Sequence, residues 1–420
     1  MAKYSINGER VNQRLQRLAE FVDPAYPGWT RRSFTPIYRE ARHWLYEEMI
    51  AAGLFPRWDT AANLIGELPG VGPAIVVGSH TDTVPGGGRF DGTVGVVAAI
   101  EVAETLREHN VQLRHPLWVI DFLAEEPSIY GLSTIGSRAA AGRLSPEMLD
   151  YRAPDGTTLR EGIALMGGDP SKIHDANLSG RIDHYLELHV EQGPVLADEE
   201  VSLGIVSGVV GILRYRLRVV GVEGHAGTMP MAKRHDALVA ASELITAIND
   251  WAYARSGHVV ATFGTVDVKP NALNVIPGEA SLGLELRSLE EQIFEDARRF
   301  IAERIRLTSA RWGVHVEWME LSYEPPTHFS AELRNQMEEA LARGGYSYRH
   351  LPSWAGHDAV QMHRICPASG MLFIPSAGGV SHCPEEWSKE EWVTTGAQAL
   401  LDAVVALDQA VLAYPSTHSG

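Results

Sequence analysis

Residues 74–92 read AIVVGSHTDTVPGGGRFDG, and the change of character inside that stretch decides the fold. Ala74–Gly78 is continuously apolar, as a short strand buried on both faces must be. It stops at Ser79-His80-Thr81-Asp82, passes through a polar loop rich in glycine, and gives way to a helix over Val94–Arg107. Strand, loop and helix in that order build a parallel sheet, and open α/β sheets place their ligands at the carboxyl ends of the strands. The same pattern recurs. Pro116–Leu123 (PLWVIDFL) is a buried strand ending at Ala124-Glu125-Glu126, and Tyr185–Val190 (YLELHV) is another, ending at Glu191-Gln192-Gly193. Residues 8–22 and 37–53 read as amphipathic helices, 330–343 as a helix and Met371–Ile374 as a short strand. A last helix opens at a capping box of Ser388 and Glu391 and runs to about Ala413.

Beyond residue 208 the period changes. Leu213–Val219 (LRYRLRV) alternates strictly, with Arg214, Arg216 and Arg218 on one face and Leu213, Tyr215, Leu217 and Val219 on the other. A helix over His235–Trp251 and strands over His258–Val268 and Ala280–Arg287 follow. A helix capped by Ser288 and Glu291 then runs to Trp312, and a strand spans Val314–Ser322. This β-α-β-β-α-β order is that of a ferredoxin-like α+β sandwich. Because the α/β pattern resumes afterwards, residues 209–325 form an inserted domain. The larger α/β domain, a mixed, largely parallel sheet with helices on both faces, is assembled from 1–208 and 326–420.

The whole chain of 420 residues carries 36 Lys+Arg against 53 Asp+Glu, a formal charge of −17. Such a surface repels phosphate backbones and anionic lipid, which argues against nucleic acid or a membrane as partner. ARRFIAERIR at 297–306 has basic residues, but helical spacing spreads them over a solvated face. The longest apolar run, near Val94–Ile100, is far short of the ~20 residues that span a bilayer. The amino terminus MAKYSINGERVNQRL has no signal-peptide core, and two cysteines, Cys366 and Cys383, give no disulfide framework. The expectation is a cytoplasmic protein. Its 17 histidines are the informative surplus.

Four polar clusters sit at strand ends, and a fifth follows Met371–Ile374. In Ser79-His80-Thr81-Asp82 a neutral imidazole can ligate a metal while a nearby Asp fixes its tautomer; a capping His beside a turn Asp reads the same way. GGGRFDG at 86–92 lacks the Gly-Lys-Ser/Thr of a phosphate loop. It can instead carry Asp91 to a metal, where a carboxylate can bridge two cations, or use Asp91 as a helix cap. Adjacent Glu125 and Glu126 at a buried strand end repel each other, and a cation offsets that. One could ligate while the other acts as general base. His189 and Glu191 share a face by strand period, and His382 sits in VSHCP at 380–384. Each His alone is more often structural than a ligand, and together these residues form a candidate dinuclear metal set.

The blocks GSHTDTVPGGGRFDG, AEEPSIYGLSTIGSRA, LELHVEQGPVL, GHAGTMPMAKRHDAL, NALNVIPGEASLGLELRS, SWAGHDAVQM and IPSAGGVSHCPEEW resemble the superfamily of dinuclear metallo-aminopeptidases and aminoacylases. They match best its carbamoylase branch of N-carbamoyl-L-amino-acid hydrolases, β-ureidopropionases and allantoate amidohydrolases. They occur in family order over nearly the whole chain. The resemblance implies two divalent ions per subunit, of Zn, Mn, Co or Ni, held by His80, Asp91, Glu126, His189 and His382. Asp91 would bridge, His80 and His189 would complete one site, and Glu126 and His382 the other. Glu125 matches the general base and Asp82 the partner of His80. His225 would reach across a homodimer to stabilise the oxyanion in the partner's site. Asn274 and Arg287 match groups that grip a substrate carboxylate, and Gln192 and His357 match further substrate-side positions. The inserted domain would carry the dimer contact.

The implied reaction is hydrolysis of a ureido C–N bond in a carboxylate-bearing substrate, with Glu125 activating the water. An N-acyl-amino-acid amidohydrolase or dipeptidase with the same metals, and a binding or scaffold protein on the same fold, are the alternatives. Two departures stand out. Pro127-Ser128-Ile129-Tyr130 replaces the branch's Gly and Arg-Phe after the paired Glu, and Cys383 replaces its Asn, as an inert thiol in our reading.

Overall fold

The computed structural model describes residues 4–410, so the end of the last helix expected near Ala413 lies outside them. The chain divides into two compact units, one running to Ser207 and resuming at Phe329, the other spanning Gly208–His328.

The first unit is built on a mixed sheet. Seven of its strands lie in the order Phe55–Trp58, Leu64–Leu68, Leu117–Phe122, Ala74–His80, Ile182–Val190, Ser369–Ile374 and Leu203–Val209, and Tyr348–Ser353 also pairs with Leu203–Val209. The four from Leu117–Phe122 to Ser369–Ile374 run parallel, and the flanking ones are antiparallel. The parallel strands are apolar throughout because both faces are covered. On one face Ile75, Val77, Val119, Leu186, Leu188 and Ile374 pack against the helices Thr93–Glu108 and Glu390–Ala410. Each such aliphatic side chain contributes roughly 1.5–3 kcal/mol by leaving water. Every residue from Thr93 to Leu106 is buried, and the two costly members face arginines of the helix Gly8–Leu18: Glu101 lies 2.7 Å from Arg10 and 2.9 Å from Arg14, and Glu104 2.5 Å from Arg14.

Alternation sends the next residues to the opposite face. With Val76 opposite Tyr185, that face carries Val76, Gly78 and His80 beside Tyr185, Glu187 and His189. The short helices Ile135–Ala140 and Asp358–His363 pack there. Ala74–His80 has Leu117–Phe122 on one side and Ile182–Val190 on the other. The chain therefore leaves its carboxyl end near a reversal of strand order, the place where such sheets form a crevice.

The second unit is a four-stranded antiparallel sheet in the order His315–Glu324, Gly211–Val220, Glu279–Ser288 and Val260–Lys269. Leu213, Tyr215, Leu217 and Val219 are buried with residues of the helices Ala237–Tyr253 and Glu291–Trp312. On the other face Arg214 pairs with Glu285 at 2.7 Å.

Neither expected capping box at the two long helices forms. Ser288 ends a strand, donates its hydroxyl to the His258 carbonyl and accepts from the Glu290 N–H, while Glu290 is the cap of Glu291–Trp312 without a side-chain bond. Ser388 lies ahead of the cap position of Glu390–Ala410 and donates to the Pro375 carbonyl. A full capping box is instead made by Thr158 and Glu161 at Leu159–Leu165.

Candidate metal centre

Two adjacent parallel strands bring the first histidines together. His80 ends Ala74–His80, His189 is the penultimate residue of Ile182–Val190, and their ring centroids are 5.9 Å apart. Each ring is oriented by a main-chain carbonyl: His80 Nδ1 lies 3.0 Å from the Asp82 oxygen and His189 Nδ1 2.9 Å from that of Val190. Donation from Nδ1 leaves Nε2 as the ligand nitrogen. Those Nε2 atoms stand 3.7 Å and 3.0 Å from Asp91 Oδ1.

Asp91 reaches them from the end of the glycine-rich loop. The helix that follows is capped by Gly92 without a side-chain bond, so the carboxylate of Asp91 is directed to the site and not to the helix. Gly92 is required here twice over. Its φ is 62°, and a Cβ would stand 2.4 Å from Cε1 and Nε2 of His80. Asp91 Oδ2 lies 3.0 Å from Nε2 of His382, which is 3.2 Å from Glu126 Oε1. His382 arrives from a loop in the left-handed region, φ 55°, and its side chain is 48% exposed.

Glu125 and Glu126 follow Ala124, itself at φ 52°, and both are buried. The Asp82 carboxylate accepts from their N–H groups at 3.1 and 3.2 Å. It therefore anchors the paired glutamates, while the nearest oxygen to His80 is its own carbonyl, the carboxylate standing at 3.5 Å. Asp82 thus faces both the His80 ring and the Glu125-Glu126 backbone. Glu125 Oε2 is 3.8 Å from His80 Nε2. Burial, with Glu126 and Asp358 near, pushes the Glu125 carboxyl well above the usual range against the pull of His80. Burial also raises Glu126, opposed by His382. Burial would raise Asp91 too, but hydrogen bonds from His189 and His382 hold it well below the usual range. The bonds to Asp91 and Glu126 push His382 up to about 11.

The ligand atoms of His80, Asp91 and His189 lie within 4.8 Å of one another, as do those of Asp91, Glu126 and His382. Imidazole nitrogens and carboxylate oxygens are the donor set of first-row divalent ions. Opposed carboxylates held in place by histidines are what such an ion neutralises, so the residues fit divalent metal binding. A third grouping, Glu187 with His189 and His357, shares His189. Its Glu187 already accepts from Tyr185 Oη at 2.9 Å, Ala359 N–H at 3.0 Å and Ser79 Oγ at 3.2 Å.

Other expected residues fall as follows. Gln192, at φ 61°, donates Nε2 to Asp91 Oδ2 at 2.9 Å. His357 is buried edge-on against His189, 4.6 Å between centroids, with Ser353 Oγ 2.7 Å from its Nε2; burial drives its pKa well down, keeping it neutral. Glu191 lies past the strand end and takes the N–H groups of Val195 and Leu196 at 2.8 and 2.7 Å, so it does not share the site with His189. Tyr130, in the departing run, is buried edge-on against Phe34. Both cysteines are free, and burial lifts the Cys366 thiol to about 11.

His225, Asn274 and Arg287 belong to the second unit. His225 is exposed on a two-residue strand paired with Val275–Ile276, and the Asn274 carbonyl accepts from the Ala226 N–H at 3.0 Å. His225 Nδ1 accepts from the N–H groups of Gly227 and Thr228 at 3.1 and 3.2 Å, which puts the ring proton on Nε2. Arg287 sits at the other end of the sheet, opposite Ile212 and Val260, with its Nε 2.7 Å from Glu285. The structure thus pairs His225 with Asn274 and separates both from Arg287.

Sequence reasoning missed Glu187, Ser381 and Glu386. Glu386 lies inside the quoted PEEW run, where it reads as one more surface acid, yet it is buried and bonded to the main chain at Asp91.

Residues 76–406 match the sequence profile of peptidase family M20/M25/M40. An N-carbamoyl-L-amino acid amidohydrolase of Geobacillus stearothermophilus is 39% identical over 96% of this chain and 99% of its own. One of Paenarthrobacter aurescens is 34% identical over 97% and 100%. A crystal structure of an amidase of the hydantoinase/carbamoylase family from Burkholderia multivorans superposes with a TM-score of 0.87 at 30% identity, covering 95% of this chain and 97% of that one.

Proposed function

We propose that this chain, which belongs to peptidase family M20/M25/M40, is a metal-dependent hydrolase that cleaves a C–N bond of the ureido group in an N-carbamoyl-L-amino acid or a related carboxylate-bearing substrate. One observation carries the reading. Asp91 offers one oxygen to His189 and the other to His382, at 3.0 Å each, so two donor sets share a single carboxylate beside the buried Glu125. The substrate class is supported by the two full-length relatives named for that activity.

His80, Asp91 and His189 would hold one ion, and Asp91, Glu126 and His382 the other. When bound, divalent ions of the Zn, Mn, Co or Ni class lower the pKa of water and polarise a carbonyl. Glu125 takes the proton of the attacking water on its carboxylate and passes it to the leaving nitrogen. With its ring proton on Nε2, His225 donates to the developing oxyanion. Arg287 holds the substrate carboxylate through its planar fork, and Asn274, at the opposite end of the sheet, would reach it from the partner subunit. The ureido carbon leaves as carbon dioxide, so one substrate and one water give the amino acid, carbon dioxide and ammonia.

The layout of the second unit supports a homodimer. From Glu279 to Arg287 is a run of roughly 26 Å at strand rise, and Asn274 and His225 lie beyond its far end. One small carboxylate cannot touch both ends of one sheet, so the two ends serve different sites, His225 reaching the partner's. Free cysteines support a cytoplasmic setting, and among the described residues no helix is long and apolar enough to cross a membrane.

The test is a panel of N-carbamoyl-L-amino acids, N-acyl-L-amino acids and dipeptides, each with Zn, Mn, Co and Ni, reading ammonia and free amine. Ammonia from the ureido compounds is the expected result. Hydrolysis of N-acyl compounds alone would move the chain to the amidohydrolase alternative, and no turnover by the metal-loaded protein would make it a binding protein.

A further inference from the structure

We infer that Glu386 is a positioning residue that fixes the spacing of the two ion sites, an inference that rests on the hydrolase reading above. The two donor sets meet at Asp91 but arrive on different loops, Asp91 on 86–92 and His382 on 376–387. Something must hold those loops in register. Glu386 is 2% exposed and spans them. Its Oε1 accepts from the Phe90 N–H at 2.8 Å and the Asp91 N–H at 3.0 Å, and its Oε2 accepts from Ser381 Oγ at 2.6 Å. One carboxylate thereby fixes the backbone that carries Asp91 and the residue next to His382.

The surroundings leave little freedom. Gly88 lies so close that a Cβ there would be 2.1 Å from the Glu386 carboxyl carbon. Phe90 meets Trp387 edge-on at 5.5 Å, and the Arg89 guanidinium lies 5.6 Å from both Trp29 and Trp387. Ser381 Oγ, held by Glu386, is also 3.4 Å from Asp91 Oδ2. Among the described residues, no Lys or Arg forms an ion pair with Glu386. A buried carboxylate without a cation is costly, and the three hydrogen bonds offset that cost. Groups that orient ligands from behind in this way commonly change metal affinity about 10–100-fold when removed.

The test uses the full chain stripped of metal by a chelator, with zinc titrated against a competing chromophoric chelator. Wild type is expected to take up two ions. Glu386→Ala leaves two N–H groups unpaired and Ser381 unheld, and should weaken zinc binding about 10–100-fold. Glu386→Gln should restore most of the affinity, since its amide carbonyl can accept from the same N–H pair while its NH2 meets Ser381. Ser381→Ala should loosen only the ion of Asp91, Glu126 and His382. Wild-type affinity in Glu386→Ala overturns the inference, as does Glu386→Gln binding no better than Glu386→Ala. If Glu386→Ala fails to fold by circular dichroism, Ser381→Ala decides, and unchanged binding there overturns it. Zinc is counted without substrate. A wild type inactive on ureido compounds would therefore sink the hydrolase reading and leave the clamp standing.

Discussion

Glu125 shows how much one residue's surroundings decide. It is 8% exposed, faces His80 at 3.8 Å and sits next to a second buried carboxylate. Burial and Glu126 push its carboxyl up, the direction that suits a group taking a proton near neutral pH. Glu125→Gln keeps the shape and removes the base, so kcat should fall by roughly 10²–10⁴-fold while zinc binding stays at two ions. Steady-state kinetics beside metal counting would check it, and turnover near wild type would remove Glu125 from the role. His80, His189, Glu125 and Glu126 were readable because strand ends advertise themselves: an apolar run that stops at His or Glu leaves that side chain at the sheet's edge, whereas Asp91 and His382 lie on loops and were assigned their places through the resemblance. Asp82 was readable as a partner but not as the anchor of Glu125 and Glu126, since that bond joins residues 43 apart in the chain. Glu386 lies 295 residues from the N–H of Asp91 and carries no local signal at all.

At the scale of elements, period and punctuation located the helices and buried strands, and the inserted unit was legible from the alternation of Arg214, Arg216 and Arg218 against apolar neighbours. Phe55–Trp58, Leu64–Leu68 and Leu203–Val209 were not seen, because short strands antiparallel to the central sheet have little pattern to offer and are specified by the neighbours they pair with. Capping boxes misled for a related reason. A Ser three residues before a Glu marks a helix start only if the Ser is the last non-helical residue, and Ser288 and Ser388 are engaged with other carbonyls. The glycine-rich loop, by contrast, is specified by geometry. At φ 62° a side chain is strained by about 1–2 kcal/mol, and at Gly92 it would also strike His80. Gly92→Ala should lower the unfolding free energy by at least that strain and weaken zinc binding through His80. Chemical denaturation and zinc titration of the variant measure the two effects, and wild-type values in both would show that the loop is not pinned.

At the scale of the whole molecule, the formal charge of −17 says little about the site. Asp91, Glu125 and Glu126 are counted in it, and two divalent ions would bring about four positive charges to them, which suits an anionic substrate on an acidic protein. Under the proposed function the groups that would meet the rest of the substrate lie at two separated ends of the second unit's sheet. His225 with Asn274 lies at one, Arg287 at the other. If each site draws one end from each copy of a two-fold dimer, then His225→Ala and Arg287→Ala are each inactive alone but complement one another when mixed. In a heterodimer one site has both defects and the other has neither. Random exchange makes half the dimers heterodimers, so an equal mixture should recover roughly a quarter of wild-type activity. The measurement is ammonia release after the two variants are unfolded and refolded together, against each refolded alone. If both residues served the site of their own chain, every site in the mixture would carry one defect, and no activity would return.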